Sequence, residues 1–246
     1  LKALEEQHGD TEKRNTIPAQ LDFLQSLDEV EMKSQKRIEE GELFVGFDPI
    51  AMKERAATQV KLRPGFREMM AKEEIKKLEM HIISVHWSAQ FISAALQGSA
   101  ASRSICANEI EIDPSTGKGT GRLTKSKDAG ESEGRYGIRI AQHKVKEMKR
   151  ILATRNRGDI MTIYAGDSNT DLAALLEANV GLILGNNKGF RETLTRLGFD
   201  SQLSKTVDEW KEKRRRSTQP SKPDLIIVED WFKGAEVLEE LLSKSK

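Results

Sequence analysis

An α/β fold, a parallel sheet covered by helices with a small helical cap ahead of it, is what this 246-residue sequence predicts. Three observations carry that expectation. Beyond Met80, short apolar runs alternate with helix-length segments, which is the pattern of parallel strands connected by helical crossovers. Ahead of that point, residues 1–41 read as amphipathic helix, with Leu21, Leu24, Leu27 and Val30 at three-residue steps and charges between them. Between the two regions Leu62-Arg63-Pro64-Gly65 interrupts any helix. The cap is therefore assigned to 1–60 and the core to 61–246.

Each element follows from local chemistry. Thr16-Ile17-Pro18 supplies a helix start, because a hydroxyl caps free N–H groups and proline is tolerated in the first turn. Gly41 and Gly46 loosen the chain through GELFVGFDP, and a second helix is expected after Gly65. HIISV (81–85) reads as a strand, followed by a helix through Phe91 and Leu96; SICANEIEI (104–112) is extended again. DPSTGKGTG (113–121) reads as a turn-rich loop and KSKDAGESEGR (125–135) as a mobile surface excursion. Beyond it come a helix over 140–152, a buried strand DIMTIYAG (159–166), a helix NTDLAALLEA (169–178) and a strand VGLIL (180–184). A helix FRETLTRLG (190–198), a strand DLIIVED (224–230) and a helix WFKGAEVLEELL (231–242) complete the series.

Composition bounds the partners. Forty basic against 39 acidic residues leave no global field that would favour nucleic acid or anionic membranes. The single cysteine, Cys106, excludes an internal disulfide and fits a reducing cytosol. No apolar run approaches the roughly 20 residues that span a bilayer. A cytoplasmic protein with neither nucleic-acid nor membrane partners is expected; oligomeric state is not legible.

In an open parallel sheet, ligands bind beyond the carboxyl ends of the strands, so polar residues after apolar runs are inspected first. In IYAGDSNTDLAALLEANVGLILG (163–185), Asp167 follows a strand and Asp171 lies four residues later. Hard carboxylate oxygens at a strand tip suit Mg²⁺, which binds through one or two carboxylates and keeps several waters. The bland alternative is that Asp167 or Ser168 caps the helix and Asp171 favours its first turn. Ser84 closes the strand of IISVHWS (82–88) and reads either as a phosphate-binding hydroxyl or as a capping one. His86 and Trp87 read as a packed pair. Lys144, in AQHKVKEMKRIL (141–152), reads by itself as a surface charge.

Strand-Ser84, helix-Lys144 and strand-GDSNTD, in that order, resemble the second, third and fourth motifs of the haloacid dehalogenase superfamily. Within it the likeness is to phosphoserine-phosphatase-like members with a helical cap. The resemblance spans about residues 15–200 and implies a Rossmann-like, haloacid-dehalogenase-type core. It also implies a Mg²⁺-dependent phosphatase of a small phosphorylated metabolite. By it, Ser84 and Lys144 are catalytic and bind the phosphoryl group, while Asp167 holds Mg²⁺, directly or through water, with Asp171 in support.

The first motif of that superfamily, an apolar strand ending in Asp-x-Asp-x-Thr or Val, is absent from the 246 residues. FVGFDPI (44–50) offers only Asp48, next to a proline. Without the nucleophilic carboxylate, catalysis is expected to be lost. The missing strand lies centrally in the superfamily, between those of the second and fourth motifs, so its loss is expected to leave two apolar edges unpaired. Together with the leading Leu1, this favours truncation of an enzyme over a pseudoenzyme or phosphate-binding regulatory module. STGKGTG (115–121) departs from a nucleotide-binding loop at Ile112 and Gly119. KEKRRR (211–216), beside STQPSKP, reads as a helix end entering a solvated linker.

Overall fold

The computed structural model describes residues 11–98, 103–130, 136–155, 160–216 and 223–244. The first ten residues of the expected N-terminal helix, Asp159, the end of the 125–135 excursion and the linker at 217–222 lie outside them. After a short 3-10 turn at Thr11–Lys13, the chain forms α1 (Ile17–Ser26), α2 (Asp28–Glu40) and α3 (Pro49–Gln59). Thr16 caps α1 by accepting from the Ala19 N–H, with Pro18 in the first turn. Asp48 does the same for α3, accepting from the Ile50 and Ala51 N–H groups. Next come α4 (Phe66–Ala71), α5 (Glu73–Lys76), β1 (His81–Ile83), α6 (Ala89–Leu96), β2 (Ser104–Cys106), β3 (Asn108–Ile112) and β4 (Gly119–Lys125). The second half contains α7 (Ala141–Ala153), β5 (Ile163–Gly166), α8 (Leu172–Glu177), β6 (Val180–Leu184), α9 (Lys188–Arg196), α10 (Val207–Arg216), β7 (Asp224–Val228) and α11 (Trp231–Ser243).

The fold is mixed α/β, and its parallel strands fall into two separate groups. β5, β6 and β7 form a three-stranded parallel sheet in the order β5-β6-β7, while β1 and β2 form a parallel pair. β3 and β4 make an antiparallel hairpin with an irregularity between Ile110 and Ile112. Among the described residues β1 pairs only with β2, and β5 only with β6. Each strand therefore has one open edge. Ile83 at the end of β1 nevertheless packs with Tyr164 of β5, Val145 of α7 and Ala174 of α8 in one apolar cluster. Among the described residues the two groups share a helical floor without strand pairing between them.

Burial on both faces explains why β6 and β7 read so clearly as strands. On one face Ile183 and Leu225 join Leu172, Phe190 and Leu194; on the other Val180, Leu182, Ile226 and Val228 surround Trp210 and Val237. Each fully buried side chain of this size contributes roughly 1.5–3 kcal/mol of transfer free energy. Leu24 of α1 is 4% exposed and belongs to the first of these clusters, so the N-terminal helices contribute to the main core. Leu21 and Leu27 pack beside it, whereas Val30 points to solvent. Asp28 of α2 meets Arg139 through two hydrogen bonds of 2.7 and 3.0 Å, with the Arg139 side chain only 1% exposed.

Two stretches differ from the sequence expectation. The loop expected at 113–121 ends early: Asp113 and Lys118 close a turn, and Gly119 already begins β4. The 44–47 turn extends this hairpin, with Val45 bridging Thr120, the Gly46 N–H donating to Gly119 O, and the Gly119 N–H donating to Phe47 O. Residues 126–130 are packed rather than free. Ser126 and Ala129 are buried, Ser126 Oγ donates to Ile105 O, and Asp128 accepts from the Ile105 N–H. Polar side chains here satisfy the backbone next to β2, which composition alone does not reveal.

Candidate functional site

β5 delivers the chain to the site and ends at Gly166. Ser168 is the N-cap of the 3-10 turn Asn169–Asp171, and Ser168 and Asp171 form a reciprocal capping box. The helix-start reading of this segment is thus correct for Ser168 and Asp171. It is incomplete, because Asp171 is buried and carries a second set of contacts. Its Oδ2 accepts from the Asp167 and Ser168 N–H groups at 3.2 Å and from Ser168 Oγ at 2.8 Å. Its Oδ1 accepts from Lys144 Nζ at 2.6 Å and Tyr164 Oη at 2.9 Å.

Lys144 is not a surface charge. Its side chain is 8% exposed and that of Asp171 is 7% exposed, which makes the pair a buried ion pair joining α7 to the end of β5. Burial pushes the Asp171 carboxyl up, but the Lys144 charge and the hydrogen bonds from Lys144, Ser168 and Tyr164 outweigh it and hold the group below its ordinary value. Burial, reinforced by the Asp171 charge, drives the Tyr164 phenol far above its usual range, so Tyr164 stays protonated and donates. An ammonium has three donors, and Lys144 retains N–H capacity for a ligand oxygen beyond Asp171.

Gly166 is required by close approach. A Cβ there would lie 2.4 Å from Asp171 Cβ and 2.5 Å from its Cγ. Gly166→Ala is expected to push Asp171 off Lys144 and to destabilise the fold by roughly 1–3 kcal/mol, as overpacking generally does. A thermal melt unchanged from wild type would show that Asp171 is not held as described.

Asp167 faces the other way. It is 47% exposed, and its Oδ2 accepts from Arg63 Nη2 at 2.6 Å. Asp167 has its second oxygen open, whereas the carboxylate of Asp171 is saturated by five donors. The residues fit a hard cation held by one carboxylate, Asp167, with Asp171 fixing the loop that presents it. Among the described residues no group of three or more His, Cys, Asp or Glu could hold a metal by itself, so further ligands would be water or phosphate oxygens.

Ser84 follows the last residue of β1. Its N–H donates to Cys106 O at 2.9 Å and its Oγ accepts from the His86 N–H at 3.1 Å. Among the described residues nothing accepts the Ser84 hydroxyl proton. Among the described residues Ser84 hydrogen-bonds to neither Lys144 nor Asp171, but Ile83 beside it and Val145 beside Lys144 lie in the same cluster as Tyr164. His86 and Trp87 do not pair with each other as expected. His86 stacks on Phe91 at 4.7 Å, and Trp87 meets Phe44 edge-on at 5.7 Å. Burial lowers the His86 imidazole from its ordinary value, so it is neutral near pH 7 and brings no charge to an anion.

Tyr164 and Arg63 are the site residues that sequence reasoning missed. Tyr164 carried a weak signal, a phenol on an apolar strand one turn of chain before a carboxylate; Arg63 carried none. What the fold and site define is an α/β protein with a buried lysine-carboxylate centre beneath an exposed carboxylate at a strand end. No family model matches the chain. It is 25% identical over 225 residues to a CTO1 family protein of Schizosaccharomyces pombe, an alignment covering 88% of this chain and 78% of that protein. It is also 25% identical over 184 residues to the mitochondrial bifunctional TH2 protein of Arabidopsis thaliana, covering 71% of this chain and 27% of that one. Among the described residues no helix is long and apolar enough to cross a membrane.

Proposed function

We propose that this chain is the larger part of a haloacid-dehalogenase-type, Mg²⁺-dependent phosphatase of a small phosphorylated metabolite, with a Rossmann-like core and a helical cap. In this reading the 246 residues bind phosphate without hydrolysing it. The observation that carries it is the buried Lys144–Asp171 pair, which fixes the loop bearing Asp167 at the tip of β5. The open edges of β1 and β5 among the described residues support it further, since in this reading a central strand ending in a nucleophile would pair with both.

Within this reading Ser84 donates its hydroxyl proton to a phosphoryl oxygen and Lys144 neutralises a second one while anchored by Asp171. Asp167 would hold Mg²⁺, directly or through water. When bound, the ion supplies charge stabilisation and orientation to the phosphoryl group, which is most of what phosphoryl transfer asks of a protein. The basic end of α10 is not a nucleic-acid contact in this account. Arg214 is committed to Asp224, Arg215 and Arg216 pair with Glu212, and Lys213 donates to Gln202 O.

The test uses inorganic phosphate with Mg²⁺ as ligand and p-nitrophenyl phosphate as substrate. Phosphate is expected to raise the melting temperature of the chain, Ser84→Ala and Asp167→Asn are expected to remove that rise, and no p-nitrophenol is expected to form. Absence of any phosphate-dependent shift at millimolar ligand would sink the assignment. A second reading, a regulatory module that senses phosphate, is favoured by the absence of any Asp-x-Asp triplet from the 246 residues.

A further inference from the structure

Arg63 lies in the break between α3 and α4, and its guanidinium crosses to the tip of β5. Nη2 donates to Asp167 Oδ2 at 2.6 Å across 104 positions of sequence. The other amino group rests against the backbone that follows β6. A Cβ on Gly185 would lie 2.6 Å from Arg63 Nη1, and Gly185 has φ +74, a conformation that favours glycine. The guanidinium is therefore seated in a notch that a side chain would close. Both members of the pair remain open to water, Arg63 at 43% and Asp167 at 47%.

We infer that Arg63 is the built-in counter-ion of Asp167 and competes with a divalent cation for that carboxylate. The inference rests on the reading of Asp167 as the cation ligand. Asp171 cannot take that part, because Lys144, Tyr164 and three donors of its own loop hold both of its oxygens. A cation at Asp167 must displace the guanidinium from Oδ2 or bind beside it against charge repulsion. Either way, Arg63 lowers the affinity of the site and links cation binding to the position of the 60–65 segment. An exposed pair of this kind exerts a modest and salt-sensitive effect.

The experiment titrates Mg²⁺, then Mn²⁺, into the protein and reads affinity by calorimetry. Arg63→Gln is expected to tighten cation binding by about threefold or more, with the gain shrinking as salt rises. Arg63→Lys, which keeps the charge, is expected to stay near wild type, and Asp167→Asn is expected to abolish binding. If Asp167→Asn abolishes binding but Arg63→Gln leaves it unchanged or weaker, the competition is refuted and the ligand assignment of Asp167 stands. If Asp167→Asn binds as wild type does, the ligand assignment itself fails and the competition fails with it. Cation binding by Arg63→Gln alone, with none by wild type, supports competition; no binding by either overturns both statements.

Discussion

Fused ahead of the N-terminal helices, an apolar strand ending in Asp-x-Asp-x-Thr is expected to turn a chain that releases no phosphate into one that hydrolyses p-nitrophenyl phosphate. The gain should be at least about a hundredfold over the unfused chain, in the range that positioned acid-base and nucleophilic groups supply. The reason is geometric. Among the described residues β1 and β5 each lack a partner on one side, and Ser84 and Asp167 follow their respective ends. A strand between them would satisfy two open edges and bring a carboxylate to the same end of the sheet. Changing the first aspartate of the added strand to asparagine should remove the activity while keeping the gain in melting temperature. Stabilisation without turnover in the aspartate form would refute the enzyme and leave the phosphate-binding module. No stabilisation would show that the edges of β1 and β5 do not accept a strand.

Lys144→Met should produce the largest loss of stability of any single substitution at the site, roughly 3–5 kcal/mol, because it leaves the Asp171 charge buried without its counter-ion. For a chain of this size that corresponds to a fall in melting temperature of about 6 to 20 °C. The partner change, Asp171→Asn, carries a pH signature that a packing defect lacks. The folded-state pKa of Asp171 is depressed, so its contribution is fully present above the unfolded value of about 3.9 and disappears as pH falls through the lower folded value. Wild type should therefore lose stability on acidification below about pH 4 more steeply than Asp171→Asn does. Parallel curves for the two proteins in that window would mean that Lys144 and Asp171 are not coupled in the folded state.

The sequence was most legible where burial is two-sided. β6 and β7 are apolar at every position but Gly181 and Asp224, and no solvent-facing residue confuses their reading. β4 was missed because Gly-Thr-Gly-Arg-Leu-Thr-Lys carries the glycines and charges of a loop; it pairs with the neighbouring β3 and with the 44–47 turn, the latter distant in sequence. At the site, Asp167, Asp171 and Lys144 stood out by residue type and order. The buried contacts of Asp171 did not, since only the fold shows that Tyr164 and Lys144 converge on one of its oxygens. Arg63 was invisible for the same reason: a linker arginine acquires meaning only when the chain returns to it.

The turn at 44–47 has a further consequence for how the N-terminal helices are held. It is stitched to β4 by backbone hydrogen bonds at Gly46 and Gly119, while Asp48 reaches Lys118 and Glu39 accepts from the Leu123 N–H. Together with the buried Asp28–Arg139 link, these bonds fasten the N-terminal helices to the rest of the protein at well-separated points. Swinging those helices aside would break several of them at once, a rare and slow excursion. The helices consequently move with the body of the protein, and their position is set by folding rather than by an independent hinge.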